Sequence, residues 1–189
     1  EHALEIKNYE KSIQLIGEGV EEMWENGHHA AIMKYGDLLP GELIKKNADF
    51  CLYYSWILII TGPIQKAGPF LMSTEDMTNN IISDKDSAKE DIQHNKKLLG
   101  KISVAYAYLN SITANAEKTF HYSKIAMENL SEDDPLWFSW GWYSVGIAET
   151  VSEHFKESIG AYEKALAYGK KSGNNYLIST IAINLAYIE

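Results

Sequence analysis

The chain has 189 residues, 46% of them apolar and 12% aromatic, with 17 lysines, no arginine, 26 acidic residues and a formal net charge of −9. That apolar content offsets the entropy of ordering a chain, which excludes disorder, and the length suits one large domain or two small ones. Lacking the guanidinium fork and carrying excess negative charge, these residues are excluded as a direct reader of nucleic acid. Helix-period apolar residues recur almost throughout, and no run alternates in the manner of a half-buried strand. Tyr9 to Glu25 sets Ile13, Ile16, Val20, Met23 and Trp24 on one face and ends at Asn26-Gly27. A helix from His28 to Leu39 is stopped by Pro40-Gly41. Ala48 to Ile60 is apolar nearly all round and reads as a buried helix, with Gly62 and Pro63 ending it and starting the next. Ser73 to Asp91, rich in Asn, Asp, Ser and Thr, is expected as an extended loop or as helix ends projecting beyond the core. Ala88 to Thr113, Ala116 to Leu130, Pro135 to Val151, Phe155 to Lys171 and Asn175 onward complete the series. Asp134 followed by Pro135 combines a side-chain cap with proline at the first helical position.

Short links favour antiparallel neighbours, hence helical hairpins. Phe155 to Leu166 reads as the second helix of a tetratricopeptide-like hairpin. Small Ser158, Ala161 and Ala165 admit a neighbouring helix, while Phe155, Ile159, Tyr162 and Leu166 fill the interface. The first helix offers Trp142, Val145 and Gly146 at the aromatic, aliphatic and small positions, which places Trp142 in the core. The corresponding small residues elsewhere are Ser55, Ala107 and Ala186, giving separations of 52, 39 and 40 positions along the chain. Ala67, Thr119 and Ser158 each follow their partner small residue by 12 positions. This constancy predicts an all-α superhelical stack of antiparallel helical hairpins, a tetratricopeptide-like α-solenoid with a concave inner face. It is read as a single domain over residues 1–189, with an N-terminal helical hairpin region at 1–47 and repeats at 48–189.

Tyr54-Ser-Trp-Ile-Leu-Ile-Ile-Thr-Gly62, Leu130-Ser-Glu-Asp-Asp-Pro135 and Tyr168-Gly-Lys-Lys-Ser-Gly-Asn174 carry a resemblance, together with Gly36-Asp-Leu-Leu-Pro-Gly-Glu-Leu43. The chain resembles the tetratricopeptide-like sensor region of MalT-type, LuxR-family transcriptional regulators. The resemblance implies a nucleotide-binding switch domain and a helix-turn-helix elsewhere in a longer protein, and a small-molecule inducer sensed in this region. No Gly-x-x-x-x-Gly-Lys-Ser/Thr loop occurs here, so an ATP site would lie outside these residues and no cofactor is expected within them. The absence of arginine departs from the family's usual repeats. Glu1 in place of an initiator methionine, and Glu189 inside a helical pattern, read as the ends of a fragment.

Candidate chemistry is sparse. His28-His29 point about 100° apart on a helix, and no His-x-x-x-His or Cys-x-x-Cys spacing exists, so no metal site is expected. Cys51 lies in the most apolar helix and reads as a small core residue; as the sole cysteine it excludes an internal disulfide and fits a reducing cytoplasm. Glu132, Asp133 and Asp134 suit a helix start, and Glu21, Glu22 and Glu25 a solvated face, so no catalytic residue is assigned. Asn129-Leu130-Ser131 reads as a chance sequon, Glu1 to Gly17 is too polar for a secretory signal, and Trp56 to Ile60 is too short to span a bilayer. Trp137, Phe138, Trp140, Trp142 and Tyr143 put five large rings in seven residues, which cannot share one helix side. With Trp142 in the core, Trp140 and Tyr143 face the groove, and the same register adds Trp56, Tyr108 and Tyr187. These five are the expected ligand-binding residues, for a small-molecule effector or a protein or peptide partner. The alternative is a scaffold that holds a peptide or helix, with the rings packing on neighbouring hairpins or on other domains of the parent. Tyr187 and Leu185 on the last helix offer an apolar face through which a homodimer could form.

Overall fold

The computed structural model describes residues 8–131 and 133–188. Glu1, Glu132 and Glu189, and the first seven positions of the polar Glu1 to Gly17 stretch, lie outside the described residues. Among the described residues there are ten α-helices and no strand: α1 (Tyr9–Glu25), α2 (His29–Leu38), α3 (Gly41–Ile44), α4 (Ala48–Thr61), α5 (Ile64–Ser83), α6 (Lys89–Ile112), α7 (Ala116–Asn129), α8 (Pro135–Val151), α9 (Phe155–Ser172) and α10 (Asn175–Ile188). The protein is all-α, with packing between helices adjacent in the chain. None of its helices among the described residues is long and apolar enough to cross a membrane.

Helix ends follow local chemistry. Asn8, Asn47 and Asn115 accept the backbone N–H of Lys11, Phe50 and Lys118, satisfying donors that the first turn leaves orphaned. Gly173 ends α9 in the left-handed region, at φ 69°, where a side chain would be strained. Asp134 departs from the expected pattern. Its carboxylate caps nothing; Oδ1 instead lies 3.0 Å from the Lys97 ammonium, tying the start of α8 to α6.

Ser73 to Asp91 is made of helix ends, the second of its two expected forms, and not of an extended loop. Helix α5 runs on to Ser83 and α6 begins at Lys89, leaving a short link between them. The reason is a stripe at helical spacing, Ala67, Leu71, Thr74 and Thr78, every member of which is fully buried. The Thr74 hydroxyl donates to Phe70 O at 3.0 Å, which satisfies it inside the stripe, whereas the buried Thr78 hydroxyl has no hydrogen-bond partner. Tertiary packing overrides the polar composition. Pro69, inside the same helix, removes one backbone donor without ending it.

Chain contacts divide the protein into two compact units, residues 1–95 and 96–189. In the first, α4 is buried on nearly every side, as its sequence requires, with Phe50, Cys51, Leu52, Trp56 and Ile57 fully buried. Helix α1 meets it through Trp24, whose ring centroid lies 5.6 Å from Tyr53 and 6.5 Å from Trp56. Helix α2 meets it at Gly36, where a Cβ would run into the Tyr54 ring. In the second unit α7 and α9 both pack on α8, and α10 packs on α9 while touching α8.

The small residues of the register behave as a set. Ser55, Ala67, Ala107, Thr119 and Ser158 are fully buried and Gly146 is buried, whereas Ala186 is exposed. At the α8–α9 contact the Ser158 hydroxyl donates to Gly146 O at 2.9 Å, and the Tyr162 ring fills the space that a Cβ on Gly146 would need. Two helical turns away, Ser139 Oγ donates to Ala165 O at 2.8 Å. Each such buried bond contributes about 1 kcal/mol.

Candidate functional site

Helix α8 brings its aromatic residues to several sides at once, because successive residues rotate by about 100°. Trp140 and Tyr143, three apart, meet edge to face with centroids 5.8 Å apart. Tyr108 enters from α6, 5.0 Å from Trp140 and 6.3 Å from Tyr143, and Tyr162 enters from α9, 5.8 Å from Tyr143. Helix α10 supplies a polar partner: Asn184 Nδ2 donates to Tyr143 Oη at 3.2 Å. Three of the five residues expected to bind a ligand are therefore neighbours in one cluster.

Their exposure is uneven. Trp140 and Tyr143 are buried, and Tyr108 is half-buried at the rim. Burial pushes the phenol of Tyr143 upward, with the neighbouring Tyr108 and Tyr162 adding to it, and burial likewise raises Tyr108. Both hydroxyls therefore keep their protons at neutral pH, and Tyr143 can donate while it accepts from Asn184. The cluster offers ring faces, ring edges and uncharged polar atoms.

The other two expected residues stand elsewhere. Trp56 is fully buried in the core of the first unit, edge to face with Trp24, and offers no open face to a ligand. Tyr187 is 90% exposed on α10. The assignment of Trp142 to the core also reverses. Trp142 is half-buried under the Lys164 ammonium, 4.1 Å from its ring centroid, while Trp140 takes the interior. Helix α8 is covered by α7, α9 and α10, so the interior takes most of its circumference and the exposed strip falls at Trp142.

The first unit holds an open pocket of about 430 Å³ that periodicity did not reveal. Gly36, Asp37, Lys45, Tyr54, Lys66 and Phe70 line it. Tyr54 Oη donates to Asp37 Oδ1 at 3.1 Å, and Phe70 lies edge to face with Tyr54 at 5.3 Å. Burial, then the Asp37 charge, pushes the Tyr54 phenol up to about 12. Lys45 Nζ pairs with Glu42 Oε1 at 2.8 Å, and that bond holds the Glu42 carboxyl below its ordinary range. Glycines at 36 and 41 flanking Pro40, ahead of a tyrosine inside an apolar helix, were the available sequence signal.

No nucleophile is set up at either place. Cys51 is fully buried, burial pushes its thiol up to about 11, and Sγ donates to Phe70 O at 3.2 Å. Among the described residues no three His, Cys, Asp or Glu side chains gather as a metal site. Asp133 bonds with Ser131, and Asp134 with Lys97, as parts of a helix start. Compared with family models, with curated proteins and with solved structures, the chain gives no match.

Proposed function

We propose that this chain is a recognition module, the effector-sensing helical repeat region of a MalT-type, LuxR-family regulator, and that it acts in the cytoplasm. The observation that carries the reading is the Tyr108–Trp140–Tyr143 cluster, three rings from two helices with the first half-exposed. Rings held by packing on both sides lose little freedom when a ligand arrives, and their hydroxyls orient it. Such a surface suits an uncharged effector that presents an apolar face and hydroxyls, as a sugar does. An effector that prefers one arrangement of the hairpins would shift the parent protein between its states. Nucleotide chemistry and DNA contact then belong to other domains of the parent, and the isolated chain is expected neither to hydrolyse ATP nor to retard DNA at physiological salt.

The test is a thermal-shift screen with neutral oligosaccharides, nucleotides and short peptides, followed by titration of a hit through tryptophan fluorescence. Tyr108→Ala is expected to weaken the hit at least tenfold while the circular dichroism spectrum stays that of the parent. Unchanged affinity in that variant would reject the cluster as the site. A second reading, a tetratricopeptide-type scaffold that binds a peptide or helix, is favoured by a separate observation: Tyr176, Ile183 and Tyr187 are exposed along α10.

A further inference from the structure

The pocket of the first unit is held open by bonds that run between its walls. Tyr54 Oη on α4 donates to Asp37 Oδ1 on α2 at 3.1 Å, and Cys51 Sγ on α4 donates to Phe70 O on α5 at 3.2 Å. Ser73 Oγ on α5 donates to Lys45 O, just past the end of α3, at 3.1 Å. The Tyr54 ring is also fixed by its neighbours: it stacks on Phe50 at 6.0 Å, meets Phe70 edge to face, and lies against Gly36. It is therefore not free to turn into the space of about 430 Å³ beside it. Buried Leu39 and Ile44 and half-buried Phe70 make much of the lining apolar. The charged groups that line the pocket are two lysines against one aspartate, a net of +1 in a chain whose formal net charge is −9. Their commitments differ. Asp37 accepts the Tyr54 phenol, and Lys45 pairs with Glu42, whose side chain is 85% exposed. Lys66, exposed on the first turn of α5, has no ion pair among the described residues.

We propose that this pocket binds a small monocarboxylate with an aromatic or branched apolar body, the carboxylate taken by Lys66 and Lys45 and the body set against Phe70 and Tyr54. The proposal stands apart from the Tyr108–Trp140–Tyr143 cluster, whose chemistry suits an uncharged effector. A single negative charge matches the net charge of the lining. A doubly charged head, such as a phosphate, would leave one charge uncompensated near Asp37. Lys66 meets the carboxylate without giving up a partner. Lys45 exchanges Glu42 for the ligand at small cost, because an exposed ion pair contributes little. The rings supply the apolar contact, and since packing and the bond to Asp37 already hold Tyr54, little freedom is lost there on binding. Apolar walls with a few placed polar groups are the usual make-up of a small-molecule site.

The experiment titrates the isotope-labelled 189-residue chain with phenylacetate and follows backbone amide shifts by nuclear magnetic resonance. Saturation by about 10 mM is expected, with the Gly36, Gly41 and Phe70 amides moving. Lys66→Gln, at an exposed position, should weaken binding by about fivefold. Glu42→Gln removes the competing carboxylate and should strengthen it by roughly twofold. Gly41→Leu adds a side chain beside the Phe70 ring, where a Cβ stands at an ordinary contact distance of 3.9 Å, and should abolish binding at an unchanged melting temperature. Phenylacetamide, the same body without the charge, should bind about fivefold more weakly than phenylacetate. Equal binding of the two would overturn the role of the lysines, and tighter binding of phenyl phosphate would overturn the monocarboxylate. Saturable shifts that persist unchanged in Gly41→Leu would overturn the site. Should that variant melt at a lower temperature, Lys66→Gln decides, and unchanged affinity there overturns the proposal. No saturation with phenylacetate overturns it outright.

Discussion

The tightest approach between α8 and α9 tests the packing logic directly. A Cβ on Gly146 would stand 2.5 Å from two ring atoms of Tyr162 and 2.9 Å from a third. Carbon atoms at ordinary contact are about 3.5–4.0 Å apart, so Gly146→Ala creates an overlap of roughly 1 Å. The ring has little room to retreat: Tyr162 is 1% exposed, faces Tyr143 at 5.8 Å, and has its hydroxyl 3.5 Å from Thr150. Overpacking of this kind costs about 1–3 kcal/mol. Against it stands the usual gain from replacing glycine by alanine inside a helix, about 0.5–1 kcal/mol. Gly160, in the interior of α9 with no atom near the site of its Cβ, shows that gain in isolation. Gly146→Ala is therefore expected to lose about 1–2 kcal/mol, and Gly160→Ala to gain about 0.5–1 kcal/mol. For a chain of this length each kcal/mol moves the melting temperature by roughly 2–4 °C, so thermal unfolding followed by circular dichroism separates the two. Tyr162→Leu should cost less in the Gly146→Ala background than in the parent, because the larger ring is what the new methyl strikes. Gly146→Ala at or above parental stability would refute the seat.

Three further outcomes are expected. Ser139→Ala removes the buried bond to Ala165 O, 2.8 Å long, and should lower stability by about 1 kcal/mol in urea unfolding; no change would mean the hydroxyl is only a filler. Cys51, fully buried with its thiol pushed up to about 11, should resist an aromatic disulfide reagent at pH 8 in the native protein and react when urea unfolds it; rapid native labelling would contradict its burial. Tyr54 ionises near pH 10 in an unfolded chain and near 12 here, so the folded state holds the proton longer. Its stabilising contribution is complete below pH 10 and is lost as pH rises toward 12, a fall that Tyr54→Phe should flatten and Asp37→Asn should reduce.

Helix punctuation and the spacing of small residues were readable before any coordinates, because both are local. Asn26-Gly27, Gly62-Pro63 and Asp134-Pro135 stand at helix boundaries through backbone chemistry alone. The 12-position interval reflects the walk from one small residue, through a hairpin, to the residue opposite, and six of its members are buried. Ser73 to Asp91 is formed by helix ends, one of its two expected forms, but its polar composition hid the buried Thr74 and Thr78, which continue the stripe begun by Ala67 and Leu71. Trp142 misled for a different reason. A two-helix pattern assigns one buried face per helix, but α8 is met by α6, α7, α9 and α10, so more than one of its faces is buried. The pocket is nonlocal as well: Gly36 and Phe70 come together only when Tyr54 lies across α2.

The contrast between the buried Gly146 and the exposed Ala186, 40 positions on, turns on what packs over each. In α8 the small residue is closed over by the Tyr162 ring, and its carbonyl accepts the Ser158 and Thr150 hydroxyls. In α10 the same slot is open, with Ile183 69% and Tyr187 90% exposed beside it. Scattered apolar residues on a surface are ordinary, but these lie on one helix face whose small-residue order matches a face that is covered elsewhere in the same unit. Exposure alone would not distinguish a binding surface from an indifferent one.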